Sequence, residues 1–219
     1  MAESPSTPRI RIDIWSDYVC PFCYLQMPAL KRLKEEFGPA LEITWRAFEL
    51  RPDPRPTLDP AGEYLRTTWE RSVYPMARER GMSLKLPPVQ PRSRKAMESV
   101  AYAHSQGKPD AMHEAMFRAF FEEGRDIGQT DVLLDIGESV GLQRDALRKA
   151  LDDNAFAAQV TQDQQLARGF GISGVPIMVL REAGAPWQEA VALQGAVPYE
   201  SMRAAVGQVI GETAKQAGG

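Results

Sequence analysis

Strand character is confined to the two ends of this chain, and roughly a hundred residues of helical pattern lie between them. Residues 9–16 alternate Ile10, Ile12 and Ile14 with Arg9, Arg11 and Asp13, the period-two signature of a strand. Residues 41–50 read as a second strand, with Ile43, Trp45 and Ala47 on one face. Strand character returns only at 177–180 and, more weakly, at 191–193, across a hairpin-like connector at 182–186. An unpaired strand exposes a row of N–H and C=O groups. The strands at the two ends must therefore pair with each other, and the helical block interrupts one α/β domain rather than following it.

Between the first two strands, residues 23–37 are helical. Leu25, Ala29, Leu30, Leu33 and Phe37 recur at spacings of three and four, and Gly38-Pro39 ends the run. Strand, helix, strand gives a βαβ unit with a parallel pair. A proline-rich loop over 51–60 follows. Candidate helices then cover 61–73, 93–106, 110–123, 130–140, 144–151 and 154–168, with Ser93, Asp110, Thr130 and Asn154 placed as N-caps. Pro75 is expected to break or kink its helix, and 85–92, with three prolines, to be a loop. A last helix spans 198–210 with a proline in its first turn. The expected organisation is an N-terminal βαβ part (9–60), a helical insertion (61–170), a C-terminal ββα part (171–212), and flexible tails at 1–8 and 213–219.

A chain of 219 residues can bury a sizeable core. A formal charge of −3 gives no electrostatic case for nucleic acid or an anionic membrane. No stretch approaches the ~20 apolar residues of a membrane span. The first residues lack a basic region followed by an apolar run, which points to the cytoplasm.

The chain has only two cysteines, and they form Cys20-Pro21-Phe22-Cys23. One bridge across so short a loop constrains the unfolded chain little, so a structural disulfide framework is excluded. The pair sits where the first strand hands over to a helix. Cysteines at i and i+3 share a face of the first helical turn, so their sulfurs can meet. The unpaired N–H groups and positive dipole end there favour a thiolate at Cys20, and the thiolate is the reactive species. Cys20 would attack a disulfide, and Cys23, one turn further in, would resolve the mixed disulfide. Pro21 suits a helical first turn because it needs no N–H partner. Phe22 carries no charge to stabilise a thiolate, so the pair should be less oxidising than one with histidine there.

Other readings compete. Zinc or an iron–sulfur cluster needs about four ligands. Besides the cysteines only His104 and His113 are available, nine apart in the helical block, or else a second copy of the chain. Tyr24 stands where covalent haem attachment needs histidine. Two inert buried thiols are the remaining alternative.

The segment Trp15-Ser16-Asp17-Tyr18-Val19-Cys20-Pro21-Phe22-Cys23-Tyr24 resembles the active-site segment of DsbA-like thioredoxin-fold proteins, in particular the FrnE-type branch. Pro28 matches a proline that often kinks the active-site helix in thioredoxin-fold proteins, Gly174-Val175-Pro176 resembles the cis-proline loop, and residues 117–127 resemble a run in this branch's helical insertion. The resemblance covers about 9–210. It implies a thioredoxin fold interrupted by an all-helical insertion, and a thiol–disulfide oxidoreductase acting on protein or peptide disulfides. It further implies that Val175 offers its backbone to an extended substrate, that Pro176 shapes the site, and that no metal or organic cofactor is needed, with glutathione a possible co-substrate. Met178, Arg51 and Val197 depart from the residues expected in this branch, and a second cysteine pair found in some relatives is missing.

Two other functions fit the same fold. One is a glutathione-dependent isomerase or transferase of the hydroxychromene-carboxylate isomerase or kappa type, whose members usually carry serine where Cys20 stands. The other is a non-enzymatic chaperone or partner-binding module. Among the remaining residues, Asp17 is expected either to tune the thiolate or relay a proton, or to be a solvated loop or cap residue. Tyr18, Phe22 and Tyr24 are placed as a substrate-binding rim, with simple packing the alternative for Tyr24. Trp15, Met112 and Met116 are read as core, and His104 and His113 as ordinary surface or half-buried residues. The cluster Arg78-Glu79-Arg80 is read as a solvated helix face.

Overall fold

A computed structural model describes residues 9–211; the expected tails at 1–8 and 213–219 lie outside them. Four strands form one sheet: β1 (Ile10–Ser16), β2 (Leu41–Ala47), β3 (Ile177–Glu182) and β4 (Val191–Gln194), in the order β2-β1-β3-β4. β1 pairs in parallel with β2, from Ile10 opposite Leu41 to Ser16 opposite Ala47. It pairs antiparallel with β3, with Trp15 opposite Ile177. The two ends of the chain thus meet through β1 and β3, as edge protection requires.

Because β1 is central, both its faces are covered. Ile10, Ile12 and Ile14 pack with Leu30 and Leu33 of α2 (Met27–Phe37) and with Met202 and Val206 of α10 (Tyr199–Val209). On the other face Trp15 packs with Ala167 of α9 (Ala157–Gly169) and donates its indole N–H to the Asp163 carbonyl at 3.0 Å. Asp13, on the polar phase of the alternation, is also buried. It is held by Arg46 at 2.7 Å, and Arg46 in turn reaches Asp163 at 3.0 Å. A charge in that position requires such pairing.

The active-site helix is divided. α1 (Pro21–Leu25) ends at Gln26 and α2 begins at Met27, with Pro28 in its first turn. A proline there needs no N–H partner and cannot continue the preceding helix. Gln26 is buried at the break. Its Oε1 accepts the Val197 N–H at 2.7 Å, tying the helix to the C-terminal part.

The insertion contains α3 (Glu63–Thr68), a π-turn (Trp69–Val73), α4 (Tyr74–Glu79), α5 (Arg94–Ser105), α6 (Pro109–Phe121), α7 (Thr130–Ser139) and α8 (Arg144–Asp152), and then α9. Pro75 does not break its helix as expected. The turn before it widens, with the Tyr74 N–H bonded to Trp69 O, and the helix runs on to Glu79. Single π-turns let a helix absorb such a misfit. The expected caps also need correction. Ser93 is the N-cap of α5 as expected but makes no side-chain cap bond, and Asp110, Thr130 and Asn154 do not occupy N-cap positions. Ser93 turns to Asp17 instead, Asp110 pairs with Lys34 at 2.5 Å, and Asn154 occupies a left-handed turn with φ of 53°.

Met112, Met116, Phe117, Phe120 and Phe121 of α6 are fully buried. The same core takes in Cys20, Cys23, Tyr18 and Tyr24. The cysteines, which the sequence places on the α/β part, are therefore packed into the core of the insertion.

Candidate active site

β1 ends at Ser16, and the chain turns with the Cys20 N–H bonded to Asp17 O at 3.1 Å. Cys20 is extended and occupies the N-cap of α1, with Pro21 in the first turn and the Cys23 N–H bonded to Cys20 O at 3.1 Å. Both thiols are free, and both residues are buried. Their surroundings differ. The Cys20 thiol donates to the Val175 carbonyl at 3.4 Å and lines a cleft of about 270 Å³. Cys23 does not line that cleft. Burial pushes its thiol well above the ordinary cysteine range. The adjoining Cys20 adds to this, while the Ser16 hydroxyl and the Asp17 backbone act against it.

The Val175–Pro176 peptide bond is cis, matching the loop its sequence resembles. Pro176 is buried, and its carbonyl accepts the Gly195 N–H at 2.8 Å, fastening the loop to the end of β4. Phe22 is half-buried and lines the cleft with Leu58, Tyr64 and Trp69 from the insertion side. Among the described residues, the charged ones lining it are Arg51 and Arg55.

Three expectations about individual residues are corrected. Tyr18 and Tyr24 do not form a rim. Tyr18 is buried against His113 and Phe117, and Tyr24 stacks on Phe117 and Phe121 while its hydroxyl donates to Glu122 at 2.5 Å. Both rings turn inward because α6 offers apolar partners on that side. Asp17 is not solvated. It is fully buried, accepts N–H groups from Leu50 at 2.7 Å and Val19 at 3.3 Å, and faces Ser93. Burial raises its pKa to about 6, against the opposing effect of those donors. His113 is neither surface nor half-buried. It stacks on Trp45 at 3.7 Å and shares a 2.7 Å hydrogen bond between its Nδ1 and Tyr18 Oη. Burial lowers its pKa to about 3, so the ring is neutral. His104 is exposed. Trp15, Met112 and Met116 are core.

Sequence reasoning missed two supports of the site. Arg80, read as solvated, donates to the Leu25 carbonyl at the end of α1 and to Ala196 O at 2.9 Å, bracing the divided helix. Gln26 does the same from inside. For Arg80, nothing in the local charge pattern distinguishes it from Arg78. For Gln26, the signal was a polar residue on a buried face two positions before Pro28. Among the described residues, no group of three or more His, Cys, Asp or Glu side chains is placed to hold a metal.

A four-stranded sheet with a C-x-x-C turn after its central strand, facing a cis-proline loop across a cleft, defines a thioredoxin-fold thiol site with a helical insertion. The DSBA-like thioredoxin domain matches residues 11–207, and the chain belongs to this family. It is 32% identical over 183 residues to the Bacillus subtilis (strain 168) protein YwbO, covering 81% of this chain and 90% of that one. The fold is similar to that of a probable DsbA oxidoreductase from Streptomyces coelicolor, with a TM-score of 0.76 and 24% identity over 93% of this chain and 91% of the other. It is also similar to the cytosolic disulfide reductase DsbM from Pseudomonas aeruginosa with GSH, with a TM-score of 0.62 and 22% identity over 78% and 88%.

Proposed function

We propose that this chain is a thiol–disulfide oxidoreductase acting on protein or peptide disulfides, with Cys20 as attacking thiol and Cys23 as resolving thiol. The observation that carries the reading is the asymmetry of the pair. Cys20 lines an open cleft beside the Val175 carbonyl, and Cys23 is screened behind it. An extended substrate laid along 173–175 would pair with backbone groups there, as an added strand does. Its disulfide would then lie against Cys20. Attack forms a substrate–Cys20 mixed disulfide, and Cys23 displaces the substrate thiol. The direction of net electron flow follows the redox poise of the compartment. We place the protein in the cytoplasm, in keeping with the cytosolic reductase of similar fold. No helix among the described residues is long and apolar enough to cross a membrane.

A second reading has glutathione as co-substrate. It is favoured by the charges that the described residues bring to the cleft, Arg51 and Arg55, which suit an anionic thiol, and by the bound GSH in DsbM. No metal or organic cofactor enters either reading.

The test is insulin reduction and refolding of a scrambled disulfide protein, for wild type and Cys20→Ser. Wild type should catalyse at least one, and Cys20→Ser neither. Full activity in Cys20→Ser would refute the assignment, as would an inactive wild type. Mixed disulfides trapped with Cys23→Ser would identify substrates, glutathione included.

A further inference from the structure

Cys23 is 3% exposed and lines no part of the cleft that Cys20 lines. Its proton must nevertheless leave before its sulfur can attack, because the thiolate is the nucleophile. The Ser16 hydroxyl, at the end of β1, adjoins the Cys23 thiol and lines no part of the cleft. Ser16 Oγ is buried and, among the described residues, has no hydrogen-bond partner. A buried hydroxyl without a partner is costly.

Ser16 lines a cavity of about 40 Å³ on the insertion side, together with Tyr18, Arg46, His104, His113 and Asp163. The space exceeds the ~10–15 Å³ one water needs, and its walls are polar enough to hold water. His113, which also lines this cavity, has a second buried polar atom, Nε2, without a partner among the described residues. His104, at the same cavity, is exposed and marks its way out. Arg46 and Asp163 are paired with each other, and Asp17 faces the backbone of Leu50 and Val19 and the side chain of Ser93. His113 is neutral. None of these groups has to store the proton if water carries it out.

We propose that Ser16 and this cavity form a rear proton outlet for Cys23, separate from the substrate cleft; the inference rests on the exchange chemistry proposed above. The Cys23 S–H passes its proton to Ser16 Oγ as Ser16 passes its own to water in the cavity. The Cys23 thiolate then attacks the Cys20 sulfur. The Cys20–Cys23 bond forms, the bond from Cys20 to the substrate sulfur breaks, and the substrate thiolate takes a proton from solvent in the cleft. Two electrons move from the dithiol to the substrate disulfide. The reverse reaction returns the proton by the same route.

The experiment needs no natural substrate. Reduced protein is mixed with Ellman's disulfide. Attack by Cys20 releases one equivalent of the coloured thiolate, and attack by Cys23 on the resulting mixed disulfide releases the second. Ser16→Ala should leave the first phase unchanged, slow the second roughly tenfold at pH 7, and move its pH midpoint upward by about one unit. Ser16→Thr, which keeps the hydroxyl, should restore it. Ala101→Leu, which fills the cavity from another wall without replacing Ser16 or either cysteine, should slow the second phase as well. A second phase unchanged in both Ser16→Ala and Ala101→Leu would overturn the outlet while leaving exchange intact. A wild type that never releases the second equivalent would overturn exchange and outlet together.

Discussion

The two sides of the cysteine pair are built from different materials. The front is loop and cleft: Val175 before a cis-proline, Phe22, the 50–58 segment, and two arginines. The rear is core: Tyr18, Tyr24, His113 and the aromatic face of α6, all buried. The motif belongs to the α/β part, but its rear environment is supplied by the insertion. The front should therefore govern what binds, and the rear should govern stability and protonation. Substitutions on the two sides should have separable consequences.

The largest effect is expected at the rear, from His113. Its folded pKa of about 3 lies below the ordinary 6.5. The unfolded chain takes up this proton first, so the stability contributed by the neutral ring is present above pH 6.5 and lost as pH falls through 3. The loss is on the order of 5 kcal/mol. His113→Gln keeps an acceptor for Tyr18 and should remove that acid sensitivity, as measured by denaturant unfolding at several pH values. Equal acid slopes in the two proteins would break the comparison.

Asp17 should act with the opposite sign and more weakly. Its folded pKa of about 6 lies above the ordinary carboxyl value of 3.8. Its contribution is present below 3.8 and lost as pH rises through 6, a difference of roughly 3 kcal/mol. In the same unfolding series, Asp17→Asn should lack this loss between pH 4 and 7. A wild type whose stability relative to the variant stays level across that window would contradict the burial argument.

The smallest effect on stability is expected at the front. Phe22→Ala should cost only about 1 kcal/mol, because the ring is half-buried. It should instead raise the KM for peptide disulfides. If unfolding shows a loss matching a buried aromatic, ~3–5 kcal/mol, then the front belongs to the core after all.

Much of this arrangement was legible in the sequence, and the reasons for the rest are physical. The isoleucine alternation, the helix after Cys20 and the strands after Pro176 are local patterns, and they appear where periodicity places them. The cysteine pair and the cis-proline loop were readable as motifs. Periodicity along one strand does not reveal that the strand is central, so it does not show that Asp13, on the polar phase, is covered by Arg46 and α9. The inward turn of Tyr18 and Tyr24 depends on α6, about 95 residues away in the chain. His113 lay on an unremarkable helix until Trp45 of β2 closed over it. Arg80 binds carbonyls left at a helix break, and that break exists only because of Pro28. In each case the deciding partner is distant in sequence.

The claim that joins these observations is that Cys20 faces outward to substrate and Cys23 is held behind it. Brief alkylation of the fully reduced protein with iodoacetamide, read by peptide mass, tests it most directly. The account predicts that Cys20 is modified first and that Cys23 stays protected until the protein is unfolded. Modification of Cys23 as fast as Cys20, or ahead of it, in the folded protein would contradict the account.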